Sequence, residues 1–183
     1  MKYHLVALFD DESNRFIEST QKKLCKKYRL YKTNNHQFCI HVQTIINPDM
    51  DKLNKIINDT LAPYKNFKVQ IDPSFHLDKS LKTVNLKISK RGYITRIIRN
   101  ISDTLHLSGF NIQNNLKREL LISLANSNYS MRKSANGETP TVLAYRNSDM
   151  SYNYIKINRF ELWKPINNKK DILMVDYPLK MFW

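Results

Sequence analysis

Two short segments carry residue types that can move a proton or hold a phosphate. In FCIHVQTI, Phe38 to Ile45, a histidine stands in the middle of an apolar run, and in ELLISLAN, Glu119 to Asn126, a serine does. Imidazole titrates near neutrality, so His41 can give or take a proton at physiological pH. Side chains alternate across a strand, which predicts Ile40, Val42 and Thr44 on one face and His41 with Gln43 on the other. The Gln43 amide can donate to a phosphoryl oxygen. The same parity sends Leu120, Ile122 and Leu124 toward a core and leaves Leu121, Ser123 and Ala125 opposite, with Ser123 as the polar hydroxyl. Leu121, two residues before that serine, can neither give nor take a proton. By residue type alone, His41 fits a hydrogen-bonded packing residue better than a catalytic base.

The other histidines offer little by spacing. His106-Leu107-Ser108 falls at the end of a predicted helix, where residues i and i+2 do not share a face. His36 lies in the polar loop before the first segment, and His4 and His76 read as ordinary strand or loop residues. The two cysteines, Cys25 and Cys39, have no CxxC spacing and no histidine cluster beside them, so they read as free thiols. No metal-ligand spacing is present, and three glycines leave none for a phosphate loop. We expect no metal and no cofactor.

These segments need a scaffold, and the rest of the sequence outlines it. Tyr3 to Phe9 reads as a strand, and Phe16, Ile17, Leu24 and Tyr28 recur at helical spacing after Asp10-Asp11. Asn47-Pro48-Asp49 ends the His41 strand and opens a helix with Leu53, Ile56, Ile57 and Leu61 on one face. Alternating runs at Phe67, Val69, Ile71 and at Val84, Leu86, Ile88 predict two strands joined by a loop containing Pro73. Ile94, Ile97, Ile98, Ile101 and Leu105 form a helical stripe that Gly109 closes. ELLISLAN, Tyr154 to Trp163 and Ile172 to Tyr177 complete the strands, with a long polar loop between Asn126 and Asp149. Strand, helix, polar loop and motif strand occur twice in comparable order. This predicts an α+β protein of two similar lobes, each sheet backed by its helices.

The totals narrow the class. The chain has 183 residues, enough for one domain of two lobes spanning 1–183 with a core that needs no disulfides. No run approaches the roughly 20 apolar residues of a membrane span, and MKYHLVALFDDES turns acidic where a signal peptide would be cleaved. The expected protein is cytoplasmic, away from membranes, and monomeric. Lys and Arg outnumber Asp and Glu 30 to 16, a formal charge of +14, which suits a polyanionic partner such as RNA or a nucleotide. Lys117 and Arg118 precede ELLISLAN, while Tyr129, Arg132 and Lys133 follow it. The cations are placed to meet a phosphate chain and Tyr129 to stack on a base.

HVQTIINPDMDKL, LLISLAN, the opening MKYHLVALFDDES and the segment RFELWKPINNKKDILMVDYPL together resemble the 2H phosphoesterase superfamily, in particular its 2′-5′ RNA ligase-like members. The resemblance covers nearly the whole chain. It implies a bilobal fold of two similar antiparallel-sheet lobes with helices on the outer faces and a central cleft, across which two His-x-Thr/Ser motifs face each other, with His41 and Gln43 in the first and Ser123 in the second. Leu121 stands where the second histidine belongs. Metal-independent chemistry of this kind uses one histidine as base and the other as acid, while the hydroxyls hold the phosphoryl oxygens. The implied ligand is an RNA end, a 2′,3′-cyclic phosphate or a small cyclic or 2′-5′-linked oligonucleotide, bound with hydrolysis impaired or absent. Two alternatives stay open. One is an active phosphodiesterase using His41 alone, with water, His36 or Lys133 completing the proton transfer; the other is a basic RNA-binding scaffold whose cleft is idle.

Overall fold

Turns with carboxylate caps start the first two helices. After strand β1 (Lys2–Phe9), the Asp10 side chain accepts from the Ser13 N–H at 2.9 Å and opens α1 (Asp11–Tyr28). Arg29, in the left-handed region at φ 51°, closes it. Strands β2 (Tyr31–Lys32) and β3 (Cys39–Ile46) follow, and Asp49 caps α2 (Met50–Leu61) through the Lys52 N–H. Strands β4 (Phe67–Asp78) and β5 (Thr83–Lys90) lead to α3 (Gly92–Leu107), whose predicted stripe is buried as a unit. The chain then forms β6 (Asn111–Ile112), β7 (Leu121–Asn126), β8 (Tyr154–Asn167) and β9 (Lys170–Pro178). The computed structural model describes residues 1–32, 37–78, 82–90, 92–113, 119–126, 154–167 and 170–181.

Among the described residues all nine strands join one sheet in the order β2-β7-β5-β4-β8-β1-β3-β6, with β9 also paired to β8. Every pairing is antiparallel. The two expected lobes are therefore halves of a continuous sheet. Strand β8 serves both, pairing β4 through Tyr154–Ile157 and β1 through Ile157–Trp163. One strand runs longer than its pattern predicts. β4 passes straight through Pro73 to Asp78, and a register shift between Ile71 and Phe75 accommodates the residue that has no N–H to give.

One face of the sheet carries the core. Tyr3, Leu5, Ala7 and Phe9 of β1 pack with Ile40, Val42 and Ile45 of β3, and with Val84, Leu86, Ile88, Ile122 and Leu124 from the other half. The stripes of α1, α2 and α3 complete this cluster. Each fully buried isoleucine of α3 contributes about 1.5–3 kcal/mol of transfer free energy toward the entropy cost of ordering the chain. Among the described residues no helix is long and apolar enough to cross a membrane.

Candidate functional site

The first half of the site is set by an irregularity in the pairing of β1 with β3. Leu5 lies opposite Gln43, but the next residue, Val6, lies opposite His41, so Val42 has no partner and forms a bulge. An inserted residue reverses the parity of everything beyond it. His41 consequently shares its face with Thr44, and the expected pairing of His41 with Gln43 on one face is corrected. His41 Nε2 lies 3.0 Å from Thr44 Oγ1 and 3.3 Å from His4 Nδ1, and His4 Nδ1 lies 3.1 Å from the same hydroxyl. The rings meet edge to face, with centroids 5.2 Å apart. Gln43 turns to the helix side instead, where it is 1% exposed. Its Nε2 donates to Ser102 Oγ of α3 at 3.0 Å and its Oε1 accepts from the Thr44 N–H at 2.9 Å.

The triangle of His41, Thr44 and His4 has a definite proton count. A hydroxyl has one proton to donate, so Thr44 satisfies both rings by accepting from one N–H and donating to the other ring's lone pair. Charging both imidazoles would set two N–H groups against each other. Burial, opposed by nearby Asp171 and aided by Lys2, holds His4 below the ordinary histidine pKa. With the folded pKa lowered, the unfolded chain takes up this proton first as pH falls, so the stability His4 contributes is present above about pH 6.5 and is lost below it. Thermal melts between pH 8 and 5.5 should show native Tm falling more steeply below 6.5 than that of His4→Asn; parallel curves would contradict this assignment.

The second half is built by β7 with its neighbours. Ser123 lies opposite Asn85, Leu121 lies opposite Lys87, and Asn85 lies opposite His76. Directly opposed residues share a face, so Ser123, Asn85 and His76 form one row across three strands. Glu119, just ahead of β7, joins the group: its Oε2 is 3.2 Å from His76 Nε2, and its Oε1 accepts from Lys87 Nζ. Asn85 is 3% exposed and donates to the His76 carbonyl at 3.4 Å and to Thr83 Oγ1 at 3.1 Å. Leu121 and Ser123 are half-buried and lie on the side away from Ile122 and Leu124, as their spacing predicts, whereas Ala125, expected beside them, is buried in the core because a register shift leaves Leu124 without a partner in β5.

The two halves approach each other through their motif strands. β3 and β7 stand second from opposite ends of the sheet path, yet their α-carbons come within 8 Å. The sheet curls far enough to bring its two ends together. Solved structures share this arrangement across nearly the full chain. A phosphoesterase matches at a TM-score of 0.67 and 11% identity, covering 98% of both chains. LigT of E. coli complexed with 3′-AMP matches at 0.65 and 11%, again over 98% of each. Usb1 of Kluyveromyces marxianus matches at 0.58 and 10%, over 97% of this chain and 98% of its own. The chain has the LigT-like 2H phosphoesterase fold. No protein-family model matches the sequence, and comparison with curated proteins finds no relative. At these identities the LigT-like fold is what the likeness carries, and residue roles have to come from this chain.

On this LigT-like scaffold several expected site residues can be followed and others cannot. Tyr129, Arg132 and Lys133 lie outside the described residues, as do His36, Lys117 and Arg118. His106 falls in the last turn of α3, beside a Leu107 that is 86% exposed. His4 and His76, read from spacing as ordinary residues, instead join the two polar groups. Cys39 shares the His41 face, but burial pushes its thiol up to about 12, which removes it as a nucleophile at neutral pH. A polar cavity of about 630 Å³ lies between α1 and Gln37–Phe38, lined by Asp11, Asn14, Arg15, Glu18 and Gln21. It contains none of the residues of either polar group.

Proposed function

We propose that the chain binds a ribose phosphodiester in a groove between β3 and β7 and hydrolyses it slowly or not at all. The ligand class is an RNA end, a 2′,3′-cyclic phosphate or a small cyclic or 2′-5′-linked oligonucleotide. The observation that carries this reading is the His41–Thr44 pair, an imidazole and a hydroxyl 3.0 Å apart on the motif strand of a LigT-like fold. LigT itself has been crystallised with 3′-AMP, a ribose phosphomonoester. In this groove His41 takes a proton from the attacking water or ribose hydroxyl. Thr44 replaces Gln43 as the neighbouring phosphoryl contact, its one hydroxyl proton passing from the histidine rings to the phosphate when ligand binds, and Ser123 faces it from β7. Arg132, Lys133 and Tyr129 supply charge and stacking along the nucleotide. The protein works as a cytoplasmic monomer, one unit over 1–183, without metal or cofactor.

Slow turnover follows from Leu121. Displacement at phosphorus is in line, so the attacking and leaving oxygens lie on opposite sides of the phosphate. His4 sits beside His41 and is therefore on the wrong side to protonate the leaving oxygen. Losing one positioned acid or base costs about 10²- to 10⁴-fold in rate.

Equilibrium titration with 3′-AMP and 2′,3′-cyclic AMP tests the reading. A hydrogen bond to a charged group is worth about 1.5–3 kcal/mol, so His41→Ala should weaken binding by about 10- to 100-fold. Affinity that ignores His41, together with RNA binding that fades with salt, would favour the basic-scaffold alternative.

A further inference from the structure

We infer that His76, held by Glu119, is the second proton carrier of this groove, acting from the neighbouring strands in place of the histidine that position 121 lacks. The inference rests on the groove reading above and decides between slow turnover and none. In-line geometry requires the acid to come from the half of the sheet opposite His41. Among the described residues of that half, the row Ser123, Asn85, His76 places one imidazole on the face that carries Ser123. The separation from β7 to β4 is two strand spacings, roughly 10 Å. A phosphate at Ser123 whose ester oxygen extends over Asn85 is directed toward that ring.

Three features suit His76 to the task. Its side chain is 38% exposed, so a ligand can reach it. The Glu119 carboxylate, 3.2 Å from Nε2, holds the ring in one orientation. Glu119 also stands two residues before Leu121 and binds Lys87, the residue opposite Leu121. The cluster thus surrounds the position where the acid is missing. Lys87 is the competing proton source, but an ammonium is by type a weaker acid near neutrality than an imidazolium and better suited to offset phosphate charge. The other charged residues of its own strand are Lys68, Asp72 and Asp78.

The step balances as follows. His41 takes a proton from water as the water oxygen forms its bond to phosphorus. The bond from phosphorus to the ribose oxygen breaks, and that oxygen receives its proton from His76. His41 ends protonated and His76 neutral, and exchange with solvent restores both.

Native protein, His76→Gln and Glu119→Gln should be compared for 2′,3′-cyclic AMP hydrolysis from pH 5.5 to 8.5, for 3′-AMP affinity and for Tm. The expected result is slow native turnover that falls about 10²-fold in His76→Gln with affinity nearly unchanged. In Glu119→Gln kcat should fall while KM, 3′-AMP affinity and Tm stay near native, a split that a purely structural role would not produce. Native turnover that survives His76→Gln overturns the inference. Tight binding without any native turnover overturns it too but leaves the groove reading standing, whereas absence of both binding and turnover removes both.

Discussion

Leu121→His is expected to raise hydrolysis of 2′,3′-cyclic nucleotides by about 10²-fold or more, toward the 10²- to 10⁴-fold that a positioned acid supplies. The register of β7 makes this the largest gain available. Position 121 is on the face of Ser123, opposite Lys87, half-buried and outside the apolar cluster, so an imidazole there costs no core packing. It would stand directly on the motif strand, two strands nearer than His76. The gain should vanish when His41→Ala is added, because acid and base act in one concerted displacement. Steady-state kinetics of the native, single and double variants provide the check. A well-folded Leu121→His protein with no gain would show that the groove lacks more than its acid.

The next largest effect separates Thr44 from Gln43. In the Leu121→His background, Thr44→Val should lower kcat by about 10²- to 10³-fold, the usual cost of removing a donor to a developing oxyanion. It also removes the hydroxyl that joins His41 and His4. Gln43→Leu should leave kcat within a few-fold while costing about 1–3 kcal/mol of stability, since it strips a partner from the buried Ser102 hydroxyl and the Thr44 N–H. Urea unfolding and kinetics on the same two variants measure both quantities. If Gln43→Leu lost turnover and Thr44→Val did not, the parity argument from the bulge would be wrong.

Much of this scaffold can be read from residue order because its signals are local. The stripe Ile94, Ile97, Ile98, Ile101, Leu105 announces α3, and the alternation in ELLISLAN gives β7 and the outward direction of Leu121 and Ser123. The bulge at Val42 cannot be read in this way. An apolar residue inserted in an apolar strand leaves composition unchanged, and only the partner strand β1 reveals that Val42 is extra. Thr44 was in plain view yet fell on the wrong face for that reason. The His76–Glu119 contact was hidden by distance along the chain. It depends on β4, β5 and β7 being neighbours, and nothing in the 42 residues between the two announces that order.

Strand β8 has a mechanical consequence. Domain closure generally uses a few loop or terminal residues that absorb the backbone change, but here the halves are joined by one strand paired to β4, β1 and β9, with a bulge at Asn158 where the halves meet. A shared strand restrains door-like opening of the jaws. A ligand of the proposed groove then has to suit a slot set largely by the fold, and a thin, flexible strand end meets that condition where a stiff double helix does not.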